Sequence, residues 1–175
     1  IKIIQMEMKK NGFTLMELIV AIFVFSTLFS IAGGSFVSAL SLQRRALNIK
    51  KVEENGRFVL ELMARELRVA NPITSVDVSC PAGSSNISFV HPVNGDIEYF
   101  RTGSEVIRKV QGVDTIISNP DVEVYRLTFC ISGNTVDDDT QPRITIILGL
   151  KSGGTMVEAV TIDLQTTVSQ RVLSD

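Results

Sequence analysis

The sequence predicts an α+β protein, with one long N-terminal helix, membrane-spanning in its first half, packed on a C-terminal antiparallel β-sheet. Three observations carry that prediction. From position 18 to 42 the chain holds no charge and is interrupted only by Ser, Thr and Gly. From 42 to 70 apolar residues recur at helical spacing, with charges on the other face. After Pro72 the spacing changes to period two, and Gly-, Pro- and Asn-rich turns cut the chain at short intervals.

The chain has 175 residues, enough for one ordinary domain and an anchor. Residues 1–12 read as a short leader, with Lys2, Lys9 and Lys10 against Glu7. The predicted helix runs from Phe13 to about Ala70. Its first half is apolar all round, as membrane helices are, and the run 18–42 exceeds the roughly 20 residues that cross a bilayer core. No small-residue site of the secretory kind follows the run, so it is expected to stay as an anchor, with any cleavage in front of it. In the second half, Leu42, Ala46, Ile49 and Val52 form a stripe that Leu60, Met63, Leu67 and Ala70 continue. Arg44, Arg45, Lys50, Lys51, Glu54, Arg57, Glu61, Arg65 and Arg68 take the opposite face, and Glu61 and Arg65 stand at the i,i+4 spacing that suits an ion pair. Asn71-Pro72 ends the helix, because proline disfavours helical geometry in the residue before it. At 1.5 Å per residue the rod is about 87 Å long. No domain of this size can bury it, so its first half must lie in lipid or against other chains. Gly33-Gly34 and Asn55-Gly56 are its weak places, each glycine being unfavourable by about 1 kcal/mol relative to alanine.

Beyond Pro72, strands are predicted at 75–78, 86–91, 96–101, 105–110, 113–117, 122–131, 142–150 and 156–166. Turn signals separate them, among them Asn94-Gly95, Gly103, Asn119-Pro120-Asp121, Gly133-Asn134 and Gly153-Gly154. The clearest hairpins join 88–93 to 96–101 across Asn94-Gly95, 97–101 to 105–110, and 143–148 to 158–164 across the Gly-Gly loop.

Net charge is −2, which leaves no global basic field for nucleic acid. His91 is the single histidine, so any Ser/His/Asp or Cys/His constellation would have to be built on it. Its place before Pro92 suits a surface or strand role. There is no glycine-rich phosphate loop, since Gly33-Gly34 lies in the apolar run and Gly153-Gly154 in a hairpin. Neither an enzyme nor a cofactor is expected. Arg44, Arg45, Lys50 and Lys51 make a basic face without aromatic interleaving for single strands. Acids share that helix, and lipid head groups or partner subunits suit it better than DNA.

Glu17 breaks the apolar pattern. An acidic residue costs about 2.5–3.5 kcal/mol in the middle of a membrane helix, and less near its end. The helix dipole favours an anion in the first turn, but a plain anchor would carry leucine there. Glu17 therefore asks for a counter-charge. Its setting, Lys9-Lys10-Asn11-Gly12-Phe13-Thr14-Leu15-Met16-Glu17 followed by the apolar run, strongly resembles the N-terminus of type IV pilins and type II secretion pseudopilins. The resemblance implies that prepilin peptidase cuts between Gly12 and Phe13 and methylates the new amine of Phe13. It implies that Glu17 then pairs with the N-terminal amine of a neighbouring subunit. Within one helix that amine lies about 6 Å away along the axis. The implied partners are other pilin or pseudopilin subunits, the prepilin peptidase, the inner-membrane assembly platform and membrane lipid, with DNA only for an uptake pilus.

The resemblance covers 9–42 by motif and 43–70 by pattern, and the segment 55–70 looks like the helix end of minor pilins and J-type pseudopilins. It divides the chain into a leader (1–12), a transmembrane and assembly helix (13–42), an amphipathic second half (43–71) and a β-rich head (72–175). In many pilins a proline near the first glycine site accompanies melting of the helix in the filament. Here Gly33-Gly34 stands without proline, and two readings stay open, local melting or close approach of membrane helices. Counting flanking charges favours the reverse topology. The cleavage site, read on the cytoplasmic side, and the cysteines place the head outside the cytoplasm instead. In that compartment Cys80 and Cys130 are expected to form a disulfide. Some pseudopilins bind calcium in an acidic loop, but Asp137, Asp138 and Asp139 cannot all aim inward at one ion that needs six to eight oxygens. A solvated loop is the expected reading. The expected function is a structural subunit, a minor pilin or pseudopilin. The alternative is a signal-anchored extracytoplasmic binding module that keeps its leader and does not polymerise.

Overall fold

The computed structural model describes residues 12–75, 78–133, 141–152 and 159–170. They form one helix and seven strands: α1 (Leu15–Arg68), β1 (Asn86–His91), β2 (Gly95–Thr102), β3 (Glu105–Val110), β4 (Val113–Ile116), β5 (Val122–Ser132), β6 (Arg143–Ser152) and β7 (Thr161–Ser169). The layout is α+β, a long N-terminal helix packed against antiparallel sheets. The chain falls into two compact units, Ile1–Gln43 and Arg44–Asp175.

In the first unit every described residue is exposed. The helix here is long and apolar enough to cross a membrane. Its hydroxyls bond back to their own turns: Ser30 Oγ donates to the Ser26 carbonyl (2.9 Å) and Ser35 Oγ to the Ile31 carbonyl (3.0 Å). Polar side chains thus satisfy themselves within an apolar rod. The helix continues through Gly33-Gly34 without a break.

In the second unit the sequence predicts one sheet and the structure has two. Strands β1-β2-β3-β4 form an antiparallel meander, and β5-β6-β7 form a second antiparallel sheet. The division falls between β4 and β5, where Asn119-Pro120-Asp121 turns the chain away instead of back onto β4. The main-chain N–H of Val124 donates to the Ser104 carbonyl (2.9 Å), tying β5 to the β2–β3 turn. The predicted strand at 75–78 lies partly outside the described residues; on either side of 76–77, isolated bridges join Ile73 to Phe89 and Val78 to Ile131. The segment after the helix is instead shared out. Asn71 and Thr74 donate to Val90 (3.0 Å) and Ser88 (2.9 Å) on the edge of β1, and Val78 and Ser84 exchange main-chain bonds with Ile131 and Phe129 on the edge of β5. The first hairpin also differs. His91 pairs with Gly95, so its turn is Pro92-Val93-Asn94 rather than Asn94-Gly95. His91 Nδ1 accepts the N–H groups of Val93 and Asn94 (both 3.2 Å), which favours the wider turn. The last strand begins at Thr161, later than the predicted 156.

The core lies between α1 and the sheets. It gathers Val52, Val59, Leu60, Met63, Leu67 and Ala70 from the helix side with Phe89, Tyr99, Phe129, Ile146, Leu148 and Leu150 among the strand residues. The helical stripe is therefore shorter than predicted. Leu42, Ala46 and Ile49 are exposed, and burial starts at Val52. The buried face also takes in Gly56 and Glu66. Gly56 is a contact point. A Cβ there would fall 2.5 Å from Leu150 Cδ1 and equally inside the radius of Leu164 Cδ1. The helix backbone lies close on the second sheet here, and a side chain would have to displace the ends of both leucines. Glu61 and Arg65 do not pair; Glu53–Arg57 (2.7 Å) and Lys50–Glu54 (3.6 Å) do.

Candidate functional site

The first turn of α1 is built by Thr14. Its Oγ1 accepts the main-chain N–H of Glu17 (3.3 Å), and its carbonyl accepts that of Leu18 (3.2 Å). Threonine at the cap with glutamate three residues on is the sequence pattern of a capping box. It fixes where the helix begins and places Glu17 in the first turn, where the free N–H groups favour a carboxylate. Gly12 and Phe13 precede the helix in open chain, and Phe13 is 81% exposed. The peptide between them is therefore accessible. Glu17 shares one helix face with Val20, Ala21, Val24, Phe25 and Leu28. Among the described residues no cation stands against its carboxylate. The arrangement is one anion in the first turn of an exposed apolar rod, five residues past an accessible glycine.

Cys80 and Cys130 are joined in a disulfide, with Cα atoms 5.5 Å apart. It lies between the Val78–Ile131 and Ser84–Phe129 bridges, so it ties the segment 78–84 to β5. Asp137, Asp138 and Asp139 lie outside the described residues, as do Lys9 and Lys10. Of the basic face, Lys51 reaches Asp121 and Lys50 reaches Glu54.

Sequence reasoning missed one polar cluster. Glu66, 7% exposed, is gripped by Arg108 through Nε (3.1 Å) and Nη2 (2.7 Å), and it also accepts the Tyr99 hydroxyl. Burial raises the Glu66 pKa, but the Arg108 and Tyr99 hydrogen bonds and the nearby positive charges outweigh it and hold the carboxyl below its ordinary value. Burial and the adjoining Glu66 push the Tyr99 hydroxyl up. The fork clamps the last turns of α1 to β2 and β3. The available signal was a carboxylate standing three residues after Met63 and four before Ala70, on the apolar face.

A family model, the prokaryotic N-terminal methylation motif, matches residues 8–33. That motif is the prepilin signature of type IV pilins and pseudopilins, and the N-terminal stretch of this chain is similar to it. It implies other pilin subunits and a prepilin peptidase as partners in general, and together with the apolar helix it fits a membrane-anchored protein. No curated protein and no solved structure matches the chain significantly.

Proposed function

We propose that this chain is a structural subunit, a minor pilin or pseudopilin, of a type IV pilus-like or type II secretion filament. Prepilin peptidase cuts it between Gly12 and Phe13, methylates the Phe13 amine, and leaves a protein held in the membrane by its helix with the head outside the cytoplasm. The supporting observation is the Glu17 carboxylate, capped by Thr14 in the first turn of an exposed apolar helix and four residues past the accessible Gly12–Phe13 peptide. After cleavage the Phe13 ammonium is a positive charge on the same apolar rod. In lipid each charge alone is costly, and a neighbour displaced along the axis brings the ammonium of one chain to the carboxylate of the next. Helix packing supplies the association and the ion pair sets its register.

Intact mass and N-terminal sequencing of protein from native membranes test the processing. The expected chain starts at Phe13 and carries one extra methyl group. A chain that keeps residues 1–12 is a signal-anchored module instead. Glu17→Val tests the assembly step: it is expected to insert and be cleaved but to stay out of the filament. Normal incorporation of that variant sinks the role given to Glu17. Gly12→Ala should slow cleavage less than a bulky residue at the same place.

A further inference from the structure

Tyr125 interrupts the regular pairing of β5. The register of β5 on β6 shifts between Val124, opposite Leu150, and Arg126, opposite Gly149, so Tyr125 is the extra residue of a bulge. A bulge re-aims a side chain, and here Tyr125 and Arg126 are both exposed. Leu150 and Leu164 point at α1, so Gly149 and Asp163, their neighbours in the strands, point the other way. On that outer face the Tyr125 ring crosses β6 over Gly149, where a Cβ would fall 2.6 Å from Cζ and 2.8 Å from Cε2. Its hydroxyl donates to Asp163 Oδ1 on β7 at 2.6 Å. All three strands thus fix one ring on the sheet surface: β5 aims it, β6 leaves room under it, and β7 holds its end. Covering Gly149 accounts for the side of the ring that faces the sheet. The other side is open, with Tyr125 37% exposed, the exposed aromatic among the described strand residues. Arg126 and Asp163 flank it in the row of Gly149, Glu123 and Lys151 in the row beside, and Gln165 on the other side, all exposed. Among the described residues Glu123, Arg126 and Lys151 form no ion pair.

We propose that this face binds a neutral saccharide, with one pyranose ring lying on Tyr125. A pyranose has an apolar side of C–H groups and a rim of hydroxyls. An exposed aromatic ring takes the first, gaining by the water released, and the donors and acceptors set around it take the second. The charges decide against other ring-shaped ligands. Arg126 and Lys151 balance Glu123 and Asp163. The phosphates of a nucleotide would meet the two carboxylates, and a cationic ring would meet the guanidinium and the ammonium. Hydroxyls accept from the cations and donate to the carboxylates, so a neutral sugar can use both kinds. The platform is also set in advance. With its hydroxyl bonded to Asp163, Tyr125 gives up little freedom when a ligand arrives. Gly149 belongs to the site, since a side chain there would displace the ring. The site lies on the head and stands whether or not the chain polymerises.

Tyrosine emission of the full chain tests it, because the chain has no Trp and its second tyrosine, Tyr99, is buried. The protein is kept in a detergent without a sugar head group and titrated with neutral oligomers of glucose, galactose, mannose and N-acetylglucosamine. A saturable change with Kd of about 1 mM or tighter is expected for at least one series. Calorimetry reads the variants. Tyr125→Ala should weaken binding about tenfold or more, Gln165→Ala about threefold, and Tyr125→Phe, which keeps the ring, less than Tyr125→Ala. The melting temperature of the head is taken for each. A readout on the native chain needs no variant: saturating sugar should slow nitration of Tyr125 severalfold. No saturable binding of any series, full binding by a folded Tyr125→Ala chain, or unchanged nitration under saturating sugar overturns the site. Tighter binding of a sulfated oligomer than of its neutral parent overturns the ligand class.

Discussion

Two glycine sites in one helix look alike as sequence and differ as structure. A side chain added at Gly33 or Gly34 would meet nothing, whereas one added at Gly56 would strike Leu150 and Leu164. The same residue is a free position in one half of α1 and a packing requirement in the other. The difference teaches where the helix gets its stability. The second half is held by its own head. The first keeps Phe, Leu and Ile exposed along its whole length, with no cover from the described residues. Propensity is identical in the two places, so tertiary contact decides what each glycine is for.

The contrast can be tested by unfolding the head of the detergent-solubilised full chain. The largest effect should come from opening the disulfide. Cys80→Ala with Cys130→Ala releases a loop closed across 50 residues, and the head should lose about 4 kcal/mol. Glu66→Ala should come next, at about 3 kcal/mol, because it leaves Arg108 and the Tyr99 hydroxyl without their acceptor. The milder Glu66→Gln gives a pH test. The folded carboxyl titrates below its unfolded value of 4.5, so its stabilisation is present above that value and is lost as pH falls through the folded pKa. Unfolding curves taken downward from neutral pH should show that loss in the native chain and lack this contribution in the variant. Gly56→Leu should cost the head about 2 kcal/mol by overpacking. Gly33→Ala with Gly34→Ala should leave the head's melting temperature where it was, and a shift would break the contrast between the two halves.

The elements were largely legible, because each rests on local spacing. The 3.6-residue stripe marks α1, and alternation marks six of the seven strands close to their observed ends. What was not legible depends on distant partners. The split into two sheets turns on whether β5 returns to β4, and no local pattern records that choice. The stripe at Leu42, Ala46 and Ile49 has helical spacing but no sheet to cover it, so periodicity overstated burial. Glu66 was hidden because its partner, Arg108, lies 42 positions away in a strand. At the N-terminus the legibility was of another kind. Gly12, Phe13 and Glu17 stand out as a motif and as one charge against an apolar run. The cap that Thr14 gives Glu17 follows from the Thr-x-x-Glu spacing, a signal present in the sequence and left unread.

The strip of chain from Asn71 to Ser84 is sewn along β1 first and β5 second, and the Gln170 side chain grips the Ala70 carbonyl just before it. Its consequence is mechanical. A pull on the helix does not reach the head through a single hinge. It enters along the buried face of α1 and at the Glu66–Arg108 fork, and beyond Ala70, held by the Gln170 side chain, the chain meets one sheet within four residues and the other beside a covalent bolt. Load is divided between both sheets before any one of them has to peel, which suits a domain joined to a long exposed apolar helix.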